Sequence, residues 1–277
     1  RFLRDVVPNF GIEVHFVDEA ELYKAHLQFP DAKLYYFESP INPTTDCISI
    51  EKTVRSARKA GALTIMDNTF ASPINQNPID FGVDIVVHSA TKYIGGHSDI
   101  MAGAVVSSRS LIKPVRETLK AFGGCINPMD AYMLDRSLKT LKVRVEQQNK
   151  SAQRIAEFYE RQKKVVSVYY PGIPSVRSYK VAKKQMLGFG GMLCIELPDL
   201  KSAKTFCDSL EVGLNATSLG GVETLVSIPV LTSHIKMSPE ELKSAHVSEG
   251  MVRISVGLED PEDLMLDFKN ALAKVGS

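Results

Sequence analysis

A lysine stands just past a short apolar run in this 277-residue chain. Asp84-Ile85-Val86-Val87 reads as a buried strand, and Ser89, Thr91, Lys92 and the pair Gly95-Gly96 follow it. An ammonium held at a buried strand end carries a desolvation cost, which lowers its pKa and makes it a nucleophile or a proton carrier. Taken alone, Lys92 also reads as a solvated loop lysine. A second apolar run, Thr64-Ile65-Met66, ends in Asp67 and continues into Asn68-Thr69-Phe70. Asp67 and Lys92 thus close two successive strands. In an open parallel sheet, ligands bind beyond the carboxyl ends of the strands, so both side chains are candidates for one ligand.

A lysine that forms a Schiff base and an acid that pairs with a pyridinium nitrogen are what pyridoxal 5'-phosphate asks of a protein. Glu38-Ser39-Pro40-Ile41-Asn42-Pro43, Asp67-Asn68-Thr69-Phe70, Ser89-Ala90-Thr91-Lys92-Tyr93, Ser218-Leu219-Gly220-Gly221 and Val252-Arg253-Ile254-Ser255-Val256-Gly257 occur in that order. With these motifs the chain resembles the cysteine/methionine-metabolism (trans-sulfuration) family of pyridoxal-phosphate enzymes. That family includes cystathionine γ-lyase, cystathionine γ-synthase and methionine γ-lyase, and the resemblance runs over nearly the whole chain.

The resemblance implies a role for each motif. Lys92 is the Schiff-base lysine and later the proton carrier, and Asp67 pairs with the ring nitrogen. Ser89 and Thr91 donate to the phosphate. Asn42 meets the cofactor's phenolic oxygen or the substrate carboxylate. Arg253, costly amid Val252, Ile254 and Val256 unless its fork meets a carboxylate, takes the substrate α-carboxylate, with a structural ion pair as the alternative. Ser218 steadies the lysine and that carboxylate. In cystathionine-handling members an acidic residue commonly precedes the Ser-Leu-Gly motif. Here Thr217 stands there, so the expectation is weaker discrimination for cystathionine, unless Glu223 meets its distal amine. The implied reaction is C–S cleavage at the γ carbon of cystathionine, homocysteine or methionine, giving a thiol, a 2-oxo acid and ammonia. The alternatives are γ-replacement on an O-acylhomoserine and an inactive binding paralogue or fragment.

The elements that must position these residues follow from patterning. Strands are expected over 12–17, 32–38, 64–67, 84–88, 101–106, 165–170, 192–197 and 252–256. Helices are expected over 19–27, 50–60, 111–121, 200–210 and 261–275, with the end of a further helix closed by Gly11. Apolar residues at helical spacing from 128 to about 162 predict a long kinked helix bridging two domains. Strands alternating with helices predict an α/β fold of the fold-type-I kind, a mostly parallel sheet with helices on both faces, over 1–128. A smaller α+β domain is expected over 129–277. Gly95-Gly96 lacks the context of a dinucleotide fingerprint, and His88 reads as a packed strand-end residue.

Composition bounds the remainder. The chain is 44% hydrophobic and 23% charged with a formal net charge of +1, an ordinary globular balance with no basic block for nucleic acid. No apolar run is long enough for a bilayer. The dispersed Cys47, Cys125, Cys194 and Cys207 read as free thiols in a reducing, cytoplasmic setting, and the histidines form no metal motif. By resemblance the partners are a small amino-acid substrate and copies of the chain in a homotetramer built from dimers. The chain opens mid-pattern at Arg1-Phe2-Leu3. The family's earlier segment, with a phosphate loop, a ring-stacking tyrosine and an arm reaching a neighbouring subunit, is not found in it.

Overall fold

The computed structural model describes residues 2–276. Strands β1 (Leu34–Glu38), β2 (Leu63–Asp67), β3 (Ile85–Ser89) and β4 (Gly103–Ser107) form one sheet in the order β1-β2-β3-β4. The first three run parallel and β4 is antiparallel to β3. Alternation decides which face is covered: Tyr35, Phe37 and Met66 are buried with Ile50, Val54 and Ala57 of the helix Ile50–Lys59. That helix starts where the Ser49 hydroxyl accepts from the Lys52 amide, which satisfies a terminal N–H. The other face leaves Leu34, Tyr36 and Leu63 exposed. Because the parallel strands share one polarity, Glu38, Asp67 and Ser89 all arrive at the same edge of the sheet.

The second sheet has the order β5-β6-β9-β8-β7. Its strands are β5 (Ser167–Tyr169), β6 (Met192–Glu196), β7 (Leu214–Asn215), β8 (Leu225–Ser227) and β9 (Met251–Ser255). All pairings are antiparallel except the parallel one between β7 and β8. Helices Leu141–Tyr159, Leu200–Asp208 and Pro261–Lys274 cover one face, and Tyr159, Phe206 and Phe268 pack edge-on or tilted in that core. Tyr93, Leu141, Val145, Met192 and Leu219 form a smaller core between the sheets, which fixes the end of one against the other.

The expected α/β organisation with a mostly parallel sheet is therefore present, with differences in detail, the unread short helices Tyr179–Gln185 and Pro239–Ser244 among them. Residues 12–17 alternate but form no strand. Among the described residues no strand pairs with them to complete a ladder, and Ile12 and Phe16 stay exposed. The helix expected over 19–27 is two short turns, Glu19–Leu22 and Ala25–Gln28. The long bridge is two helices, Pro128–Leu138 and Leu141–Tyr159. Strands β7 and β8 went unread because a two- or three-residue strand shows no periodicity. The turns closed by Gly11 (φ 73) are present as expected, while Arg1 lies outside the described residues. The four cysteines are free. Among the described residues no helix is long and apolar enough to cross a membrane.

Candidate active site

Lys92 is delivered by the turn that follows β3. The Lys92 amide donates to Ser89 O at 3.1 Å, Gly95 N to Ala90 O at 2.7 Å and Gly96 N to Lys92 O at 2.7 Å. From this turn the Lys92 ammonium donates to Ser218 Oγ at 2.7 Å. Ser218 lies on the loop between β7 and β8 with φ 86, a left-handed conformation that costs a non-glycine residue energy. Gly220 brings that loop in: a Cβ there would lie 2.7 Å from Tyr93 N. Its own amide is held by Ser255 Oγ at 2.8 Å, at the end of β9. Burial, and then the nearby Arg253 charge, push the Lys92 amine below its ordinary range.

Arg253 is 5% exposed. Its Nη1 donates to Asn42 Oδ1 at 3.1 Å and its Nη2 to Ser218 O at 3.0 Å. Among the described residues it makes no salt bridge. The ion-pair alternative therefore fails, and a buried fork without a carboxylate is one that a ligand carboxylate would complete. Asn42 is set by the loop after β1, where its amide donates to Glu38 Oε1 at 3.1 Å. Glu38 closes β1 directly opposite Asp67 of β2. Burial above all pushes its carboxyl up to about 7, helped by the Asp67 charge and opposed by the Asn42 N–H.

Asp67 and Ser89 are joined through Thr69. The Thr69 amide donates to Asp67 Oδ1 at 2.9 Å, and Thr69 Oγ1 accepts from the Ser89 amide at 2.8 Å. Asp67 Oδ2 and the Ser89 hydroxyl form no hydrogen bond among the described residues. Thr91 departs from the expectation of a free donor. Its hydroxyl accepts from Ala102 N at 2.9 Å and donates to Ala102 O at 3.3 Å, so both functions serve the chain itself. Thr217 is exposed and borders a cleft of about 640 Å³ with Thr91, Ser218, Asp99, Asp130 and Glu223. His88 is buried, and burial pushes its pKa down against the pull of Asp67.

Lys92, Ser218, Arg253 and Asn42 thus form one connected group, with Asp67 and Ser89 at adjacent strand ends. Sequence reading missed the position of Glu38, although it opens one of the quoted motifs. Only the register of β1 and β2 puts it beside Asp67.

An amine of depressed basicity, a carboxylate at the next strand end and an uncompensated buried guanidinium on an α/β scaffold form a set of groups that a carbonyl cofactor and an amino-acid carboxylate would complete. The sequence pattern of the family described as Cys/Met metabolism PLP-dependent enzyme matches residues 1–273, and the chain belongs to that family. Cystathionine gamma-synthase 1, chloroplastic, of Arabidopsis thaliana is 40% identical over 277 residues, covering 99% of this chain and 49% of that protein. Cystathionine beta-lyase of Lactococcus lactis subsp. cremoris is 41% identical over 276 residues, 99% of this chain and 73% of that protein. The crystal structure of cystathionine gamma-lyase from Lactobacillus plantarum complexed with L-serine superposes with a TM-score of 0.94 at 35% identity, covering 99% of this chain and 73% of that one. The chain therefore spans about half the length of the plant relative and nearly three-quarters of the bacterial ones.

The donor set fits pyridoxal phosphate. Burial lowers the Lys92 amine, which favours attack on a carbonyl carbon. One Asp67 oxygen and the Ser89 hydroxyl carry no hydrogen bond among the described residues and are available to a ring N–H and a phosphate. Thr91 can add to that phosphate only by giving up Ala102.

Proposed function

We propose that this chain carries the reactive half of a pyridoxal-phosphate-dependent carbon–sulfur lyase. Its substrate is a sulfur amino acid (cystathionine, homocysteine or methionine), cleaved at the γ carbon to a thiol, a 2-oxo acid and ammonia. The observation that carries the reading is Arg253, buried without a carboxylate and joined through Ser218 to Lys92. A substrate α-carboxylate set in the Arg253 fork, with Asn42 beside it, brings its Cα toward the Lys92 amine. When bound, the cofactor supplies the electron sink that makes the Cα–H acidic. Asp67 would face the ring nitrogen with its free oxygen and favour its protonated form. Lys92, its basicity lowered by burial, would take the Cα proton and then a Cβ proton, whereupon the Cγ–S bond breaks and the sulfur leaves as a protonated thiol. The amine would afterwards return a proton to the γ carbon. Ser218 Oγ holds the amine in place between transfers. Ser89 holds the phosphate.

Two rivals have support in the relatives. The plant relative's name favours γ-replacement and the Lactococcus relative's name favours β-cleavage. Product analysis on cystathionine with the full-length protein decides. Cysteine and 2-oxobutyrate support the proposal, and homocysteine and pyruvate establish β-cleavage. Turnover only of an O-acylhomoserine with an added thiol establishes replacement, and absence of all turnover leaves a binding paralogue. The same reading carries a cytoplasmic homotetramer built from dimers, which particle mass by light scattering checks.

A further inference from the structure

Arg144 lies in the first turn of the helix Leu141–Tyr159 and is 4% exposed. Among the described residues it has no acidic partner. A buried cation is costly unless its donors are met, and here every contact is to a neutral oxygen. Nε donates to Thr140 Oγ1 at 3.1 Å, Nη1 to Tyr93 O at 2.9 Å, and Nη2 to Ser137 O at 3.0 Å and Ile94 O at 3.4 Å. Tyr93 and Ile94 are the two residues after Lys92. Their carbonyls accept no other hydrogen bond among the described residues.

The chain is shaped around this contact. Gly96 has φ 71, and a Cβ there would lie 1.9 Å from Arg144 Nη1. Only glycine admits the guanidinium against the lysine turn, which gives Gly95-Gly96 a purpose other than nucleotide binding. The break between the two bridging helices frees Ser137 O, and Arg144 and Thr140 occupy it. Tyr93 is pinned as well: it is 2% exposed, and its hydroxyl accepts from Gly191 N at 3.2 Å. The turn bearing Lys92 is thus held from behind by a residue that touches neither Ser218 nor Arg253.

We propose that Arg144 is a positioning residue for Lys92, fixing the lysine turn through the Tyr93 and Ile94 carbonyls so that the amine meets the reacting carbons. This rests on the reading of Lys92 as the reactive amine. The contact is absent from the carboxylate site, so the effect falls on the chemical step and not on substrate binding.

The test uses the full-length holoenzyme with three variants. Arg144→Lys keeps the charge and removes the fork. Thr140→Val removes one acceptor and leaves the lysine turn untouched. Lys92→Ala removes the amine. Misplacement of a reacting group by about 1 Å costs up to about 100-fold in rate. Arg144→Lys is therefore expected to lower kcat by about 10- to 100-fold, with KM within about twofold, cofactor loading retained and the pH midpoint of kcat displaced. Thr140→Val is expected to move kcat in the same direction by about threefold. A folded, loaded Arg144→Lys with parental kcat and pH midpoint overturns the proposal, as does a rise in KM matching the fall in kcat. If Arg144→Lys does not fold, Thr140→Val decides: an unchanged kcat overturns the proposal. Turnover by Lys92→Ala refutes the reading of Lys92 itself and this proposal with it. Its inactivity beside an unaffected Arg144→Lys refutes this proposal alone.

Discussion

Glu38 offers a test of the site's electrostatics that needs no substrate. Its carboxyl is pushed from an ordinary 4.5 up to about 7, first by burial and then by Asp67. The folded chain therefore binds this proton more tightly than the unfolded chain does. The sign follows: below pH 4.5 the group is neutral in both states and costs nothing. As pH rises from there toward 7, the unfolded state ionises first and stability falls, and above 7 the loss is complete. At about 1.36 kcal/mol per tenfold change in proton affinity, the ceiling is about 3 kcal/mol. Glu38 keeps some contact with solvent, and screening brings the expected loss to about 2 kcal/mol. Glu38→Gln removes the titration and keeps an oxygen for the Asn42 amide. Urea unfolding of the cofactor-free protein at steps from pH 5 to pH 8 measures the difference between parent and variant. Burial lowers the pKa of buried His88 and of half-buried His234, but both are common to the two proteins and cancel. The parent should lose about 2 kcal/mol more than Glu38→Gln across that range. Parallel stability curves would refute the elevated proton affinity of Glu38.

Borohydride reduction of the holo protein should fix the cofactor on the peptide carrying Lys92; a label on Lys113 or Lys120 contradicts the assignment. Asp67→Ala should cut kcat far more than cofactor occupancy, because the carboxylate acts on the ring and not on the phosphate. Equal kcat at saturating cofactor would sink that role. Thr217→Glu places a charge beside Ser218 at the edge of the cleft. A charge-assisted hydrogen bond worth about 1.5–3 kcal/mol should shift the cystathionine-to-methionine ratio of kcat/KM by about one to two decades. An unchanged ratio, with loss of that ratio in Glu223→Gln, transfers the selection to Glu223, which borders the same cleft.

How much of this was legible depends on the range of the interaction. Lys92 and Asp67 could be read because each closes a short apolar run, and strand polarity then does the rest. Arg253 could be read as an anomaly, a charge inside an apolar strand. The Lys92–Ser218 contact spans 126 residues, and nothing local announces it; only the motif resemblance pointed there. Arg144 was invisible for another reason. Its neighbours Lys142 and Glu146 form an exposed surface pair, so the segment reads as a solvated helix face. The error at 12–17 is the converse, a correct period without a partner strand. The break at Lys139–Thr140 has no proline or glycine to mark it. It is the Ser137 carbonyl, taken by Thr140 and Arg144, that ends the first helix.

The strain at Ser218 follows from what that residue must do at once. Its hydroxyl accepts from Lys92, which is carried by the first sheet, while its carbonyl accepts from Arg253, carried by the second. In a strand or helix the side chain and the carbonyl of a residue are directed by neighbouring ladders, and they cannot both be turned to a common site. A left-handed φ of 86 releases the carbonyl from any ladder and turns it beside the hydroxyl. The cost of that conformation is of order 1–3 kcal/mol. It is offset where Gly220 lets the loop close onto the lysine turn and Ser255 holds its amide. One residue thereby joins the Lys92 amine to the Arg253 guanidinium. On the proposed reading, a substrate held by its carboxylate at Arg253 would meet the Lys92 amine only while that loop keeps its shape. Stability of the Ser218 loop and rate of the chemical step are therefore coupled through the same two hydrogen bonds.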